Sequence, residues 1–363
     1  MKLITNPFEY AILAGKLLTG THDVYEDVFI VIKNGKIQKV TDSWNGPYVD
    51  FSNATITPGF IEPYSKLGIK WSIHGELFSD SRSIILDPDY YVIDGLNYSD
   101  PSIRDAREFG VTTAYISPGG KSVRLGRGAV IKTMGASLLH QSLYKKTILE
   151  ILLESPDEYY ESDLRMNILR EFRKLYANDK KFRSILGNAD RVFVVAMSYE
   201  SIETALNLAQ EFKFLNKLTI VGAPEAIKVA SYIKEFNIPI VYGPFWITDP
   251  LYLDRWNFNN VVRLYRMGIT VSLSTFHPLM DIKLLQLAPA LAIRYDLNEK
   301  EATSIFSHNA AVALGIQNIV GIISPGKDAD LVVWEAEAYD MKEGIKEVYI
   351  RGVRVSRTVS IPQ

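Results

Sequence analysis

Three side chains with usable chemistry alternate along one short stretch, Phe60-Ile61-Glu62-Pro63-Tyr64-Ser65-Lys66. A carboxylate, a phenol and an ammonium at i, i+2 and i+4 of a strand fall on one face. The spacing therefore predicts a polar trio, Glu62, Tyr64 and Lys66, able to hold a ligand or move a proton. The blander account of the same residues is an ion pair plus a hydrogen bond, because a buried charge has to be paired. His277, in Ser274-Thr275-Phe276-His277-Pro278, is a further candidate base; a loop histidine bonded to backbone is the plainer account. Four residues are weaker candidates for touching a ligand. His74 follows the stretch in a loop. Lys121 and Arg124 lie in the glycine-rich segment 119–128, which lacks the Walker spacing. Glu225 stands at a helix start, where a carboxylate suits the dipole without any catalytic role.

Metal chemistry is poorly served. The chain has no cysteine and five histidines, His22, His74, His140, His277 and His308, none of them in His-x-His or His-x-x-x-His spacing. A zinc, iron or manganese site needs three or more N, O or S donors converging on one point. The expectation is no metal and no cofactor. No Gly-x-Ser-x-Gly occurs, so a nucleophile elbow is not indicated, and Ser272 and Ser274 have no evident base beside them. His308 opens a helix and reads as a capping or packing residue.

These residues need elements to position them. The length, 363 residues, suits one large barrel plus a small appendage, and 47% apolar residues allow a sizeable core. A net charge of −2 gives no nucleic-acid footprint and no polybasic membrane patch. Met1–Tyr10 lacks a leader pattern and no apolar run spans a bilayer, so the expected location is the cytoplasm. Residues 1–57 read as β structure: an apolar run over Tyr10–Leu18, then two runs joined by Asn34-Gly35, a strong hairpin signal. The C-terminal end reads the same way, with Asp330–Trp334, Val348–Ile350, a turn at Arg351-Gly352, and Val353–Val355. Two β pieces flanking an α/β middle predict a single small domain built from 1–57 plus 319–363. Between them, runs at Gly110–Ile116, Arg191–Ala196, Leu218–Val221, Pro239–Tyr242 and Ile269–Leu273 alternate with helical periods, which predicts parallel βα units over 58–318. Residues 144–182, charged and with no obvious strand, read as a helical insertion.

Several motifs in order give these elements a family. Pro58-Gly59-Phe60-Ile61-Glu62-Pro63-Tyr64-Ser65-Lys66 resembles the first barrel strand of the amidohydrolase superfamily, Pro-Gly-apolar-apolar-Asp-x-His-x-His, whose two histidines grip a catalytic metal. Phe109-Gly110-Val111-Thr112-Thr113 looks like the opening of the second strand. Ser307-His308-Asn309-Ala310-Ala311-Val312-Ala313-Leu314-Gly315 looks like the family's Thr-x-Asn-Pro-Ala-x-x-Leu-Gly helix. Pro325-Gly326-Lys327-Asp328-Ala329-Asp330-Leu331-Val332 is the most specific match. Pro118-Gly119-Gly120 to Gly126 with Ala129-Val130-Ile131-Lys132-Thr133-Met134-Gly135 is similar to the imidazolonepropionase-related branch.

The resemblance implies a TIM-type (β/α)8 barrel with a small β-sandwich domain from both termini. It also implies hydrolysis of non-peptide C–N bonds, typically in cyclic amides, by a metal-bound hydroxide. Tyr64, Lys66, Val195, Met197, Gly222 and Phe276 stand where the family's ligands would be, and cannot rebuild that site. The expectation is an amidohydrolase-like pseudoenzyme that binds a ligand at the barrel mouth or a protein partner, with a homodimer as its expected assembly. The alternative is a hydrolase with relocated or metal-independent chemistry.

Overall fold

The computed structural model describes residues 9–69, 85–119, 123–134, 144, 146–154, 162–245, 256–340 and 344–355. Sixteen strands are described: β1 (Tyr10–Leu18), β2 (Val24–Lys33), β3 (Lys36–Thr41), β4 (Tyr48–Pro58), β5 (Phe60–Ser65), β6 (Ile85–Tyr91), β7 (Val111–Ile116), β8 (Val123–Lys132), β9 (Ile148–Leu152), β10 (Arg191–Ala196), β11 (Leu218–Gly222), β12 (Ile240–Tyr242), β13 (Val271–Leu273), β14 (Leu331–Trp334), β15 (Ile345–Ile350) and β16 (Val353–Val355).

The first sheet joins both ends of the chain in the order β16-β15-β14-β4-β1-β2-β3. Its two tight turns have the same chemistry. Asn34 and Gly35, and likewise Arg351 and Gly352, both take positive φ, the geometry of a two-residue hairpin turn. The sheet rolls until those turns meet: Ala329 N donates to the Gly35 carbonyl at 2.9 Å, and the Tyr10 hydroxyl to the Gly352 carbonyl at 2.5 Å. Inside the roll pack Ile12, Leu17, Val28, Ile30, Ile56, Leu331 and Val333. The chain passes from this sheet to the next at Gly59, where a side chain would collide with Thr112.

The second sheet runs β13-β12-β11-β10-β9-β8-β7-β5, a nearly closed barrel, with β6 paired to β8 off this path. The parallel expectation fails at one strand, because β8 is antiparallel to both β7 and β9. Only residues 117–122 separate β7 from β8, too few for the crossover that a parallel pair requires. The expectation of no strand within 144–182 also fails. Ile148-Leu149-Glu150-Ile151-Leu152 is β9, fully buried between β8 and β10, while α2 (Ser162–Asn178) and α3 (Lys180–Asn188) are the helical part. A five-residue strand with an acid at its centre gives almost no periodic signal.

Helices cover the outside: α1 (Pro101–Glu108), α4 (Tyr199–Glu211), α5 (Ala230–Glu235), α6 (Phe258–Arg266), α7 (Ala288–Arg294) and α8 (Glu299–Phe306). The short α9 (His308–Leu314) does something else. Its Ala310, Ala311, Ala313 and Leu314 share a core with the inward residues Ile61, Phe193, Val221 and Val241. Arg191 and Thr219, near the starts of their strands, donate to the carbonyls of Val312 (2.9 Å) and Ala313 (3.0 Å). Thus α9 closes the barrel end opposite the mouth, and chemistry is left to the C-terminal ends of the parallel strands.

Candidate functional site

The mouth holds two fully buried carboxyls, one foreseen and one not. Glu62 on β5 is 0% exposed and lies at the seam between the first and last barrel strands. Its Oε2 accepts from Thr275 Oγ1 at 2.6 Å and from Thr275 N at 3.0 Å. Its Oε1 meets Ser274 Oγ and accepts from Tyr64 N at 3.2 Å. Burial pushes Glu62 up to about 7, against the pull of these four hydrogen-bond contacts.

Glu150, at the centre of β9, was not foreseen. It receives three hydroxyls: Tyr64 to Oε1 at 3.1 Å, Ser117 to Oε1 at 2.8 Å, and Tyr115 to Oε2 at 2.8 Å. Burial raises its pKa, while those hydroxyls and the charge of Lys66 pull the other way. Tyr64 spans the two acids, with its backbone N–H on Glu62 and its hydroxyl on Glu150. The signal that could have found Glu150 is a lone acid inside an apolar run, since such a residue in a buried strand must be satisfied.

The trio expected on one face takes different partners. The β5–β7 register shifts between Phe60 and Ile61 and again between Glu62 and Ser65. Pro63 sits in that irregular stretch with no N–H to give the ladder. As a result the Glu62 carboxyl turns to Ser274 and Thr275 at the seam, the Tyr64 hydroxyl turns to Glu150, and the charge of Lys66 acts on Glu150.

His277 does not join this group. Its backbone carbonyl accepts from Lys66 N at 2.8 Å, and burial lowers its pKa against the opposing charges of Asp281, Asp100 and Asp105, the last two at α1. Arg124 is buried on β8, on the face it shares by alternation with Gly126 and Gly128. Glu225 is engaged at a helix start: its Oε2 accepts from Tyr199 N, the first residue of α4, at 2.7 Å, and its Oε1 pairs with Lys228 at 3.0 Å. His74 and Lys121 lie outside the described residues.

The metal cradle that the motifs imply can be tested against these side chains. Among the described residues no group of three His, Cys, Asp or Glu side chains converges to hold an ion. Gly222, at φ +95°, ends β11, and a Cβ there would lie 2.5 Å from Met197 Sδ. The thioether therefore fills the space that a ligand on that strand would need. Phe276 is buried and its ring centroid lies 4.4 Å from that of Tyr64. At these positions a thioether, a bare glycine and the phenyl ring of Phe276 offer no hard donor, and the charge of Lys66, which acts on Glu150, would oppose a cation beside it. Among the described residues, those at these positions do not fit a divalent ion.

Comparison with known proteins agrees with the architecture. The model of the amidohydrolase family matches residues 255–355. The imidazolonepropionase of Picrophilus torridus is 23% identical, covering 94% of this chain and 97% of that protein. A crystal structure of an amidohydrolase from Thermotoga maritima superposes with a TM-score of 0.83 at 26% identity, over 96% of this chain and all of that one. An adenosine deaminase from Xanthomonas campestris, solved with bound zinc, shares the fold at a TM-score of 0.61 and 16% identity, over 96% and 93% of the two chains.

Proposed function

We propose that this chain, which belongs to the amidohydrolase superfamily in its imidazolonepropionase-related branch, has lost metal-dependent C–N hydrolysis and serves as a ligand- or partner-binding protein. One observation carries the reading. The carboxyl lone pairs that a metal would use are occupied by the protein itself, those of Glu62 by Thr275 and Tyr64, and those of Glu150 by Tyr64, Tyr115 and Ser117. A metal would have to displace several buried hydrogen bonds and leave their donors unpaired, at about 1–3 kcal/mol each. The test is elemental analysis of protein purified without a chelating tag, with turnover of a panel of cyclic amides measured with and without added zinc, manganese or iron. The expected result is less than stoichiometric metal and turnover equal to the blank. Stoichiometric metal, with turnover abolished by a chelator, would overturn the reading.

A second reading, hydrolysis without a metal, draws on the Glu62 carboxyl titrating at about 7, the range of a general base. Turnover by metal-free protein that rises through pH 7 and vanishes in Glu62→Gln would establish it.

A further inference from the structure

We propose that Glu62 is a proton-holding clasp, whose carboxyl closes the seam between β5 and the segment after β13 in its protonated form and loosens that seam when the proton leaves. Ser274 has fewer hydrogens than neighbouring acceptors. Its Oγ accepts from Phe276 N at 3.0 Å and lies beside two acceptors, the Tyr64 carbonyl at 2.8 Å and Glu62 Oε1. A hydroxyl has one hydrogen, so it cannot serve both. If Glu62 is ionised, one buried acceptor goes without the Ser274 proton. If Glu62 carries a proton, its O–H donates to Ser274 Oγ, which donates on to the Tyr64 carbonyl, and the chain closes. Oε2 meanwhile keeps its two donors from Thr275.

The position gives that proton leverage. β5 and β13 are the two ends of the barrel sheet, and Ser274, Thr275 and the Lys66–His277 backbone bond stitch them together. The ionisable groups around Glu62 can be named. Tyr64 shares its strand and Lys66 follows it, with the charge of Lys66 acting on Glu150; Tyr115, two strands from β9, donates to Glu150 at 2.8 Å; His277 follows β13. From the helices packed on β5 and β13, Glu301 of α8 pairs with Arg266, and His308 of α9 feels Lys327. The forces on Glu62 itself are burial first and then the neutral hydrogen-bond partners Ser274, Thr275 and Tyr64, so a proton, not a counter-charge, settles it; burial pushes the group up to about 7.

The experiment is an infrared pH titration of the wild type against Glu62→Gln, with thermal midpoints from pH 5 to pH 8. A folded pKa above the unfolded one gives stability that is full at acid pH and lost as pH rises toward 7. The wild type should therefore show a carboxylic-acid carbonyl band near pH 6 that the variant lacks, and its midpoint should fall relative to the variant's as pH rises. Should Glu62→Gln fail to fold, Ser274→Ala keeps the carboxyl and removes its acceptor, and must shift that band. Absence of the band, a band that Ser274→Ala leaves unmoved, or parallel stability profiles would each overturn the proposal.

Discussion

At the residue scale the mouth is a problem in charge accounting. Glu150 is fully buried with three hydroxyl donors, and Lys66 is the cation whose charge acts on it. In Lys66→Ala that charge disappears and the Glu150 pKa rises further. A raised folded pKa costs stability as pH climbs, so the variant should match the wild type near pH 5 and be weaker near pH 8. Because Lys66 is only half-buried, the loss should be about 1–3 kcal/mol, between the worth of an exposed pair and a buried one. Urea midpoints at the two pH values would check this; an equal loss at both would mean that Lys66 supports packing rather than charge. This balance was half legible in the sequence. Alternation along β5 placed Tyr64 and Lys66 at the mouth, but Glu150 stayed hidden because β9 itself was hidden. The separate partners of the trio were not legible, because a register shift around Pro63 interrupts the regular ladder.

At the element scale, strands rich in β-branched residues were readable and atypical ones were not. β7, β10, β11, β12 and β13 fall where their Val, Ile and Thr runs predict. β9 carries a central acid, and the direction of β8 depends on loop length rather than on its own composition. The strand ends show how one element constrains the next. Gly222 closes β11 at φ +95°, a conformation costly for any other residue, and Met197 after β10 lies over it. Gly222→Ala should therefore cost about 1–3 kcal/mol, from backbone strain plus displacement of the thioether. Adding Met197→Ala relieves the collision but not the strain, so the double variant should lose less than the sum of the singles. A double-mutant cycle in denaturant would measure that coupling, and strict additivity would show that the sulfur does not fill the site.

At the scale of the whole molecule, the most specific motif in the sequence turns out to be the joint between the two sheets. Asp328 and Asp330 sit just before β14, and Lys132 reaches them from the end of β8 in the barrel; all three side chains are at most 6% exposed. Lys132 Nζ pairs with Asp330 and lies 3.3 Å from Asp328. From the rolled sheet, Lys36 and Arg351 pair with Asp328 at 3.1 and 3.3 Å, and Arg351 N donates to Asp330 at 2.9 Å. Burial opposes the Lys132 ammonium, but Asp330, Tyr144 and Asp328 outweigh it and hold its pKa above the usual range. Burial likewise opposes the Asp328 carboxylate, and Lys132, Lys36 and Arg351 bring it below its ordinary value. In the wild type, then, Asp328 adds stability above the unfolded carboxylate pKa and loses it as pH falls through its lower folded value. Lys132→Met would reverse the sign. Asp328 would lose the cation that acts on it most, its pKa would rise, and the penalty would grow as pH climbs from about 4 to 7. The expected loss at neutral pH is ~3–5 kcal/mol, the cost of removing one partner from a buried pair, and it should shrink toward pH 4.5 as Asp328 takes up a proton. Lys132→Met combined with Asp330→Asn should regain part of the neutral-pH loss, because one buried charge is gone. Calorimetric midpoints of the wild type and both variants at pH 4.5 and 7.5 would test this. A single variant equally weakened at both pH values, or a double variant no better than the single, would show that the joint is held by packing rather than by its ion pairs.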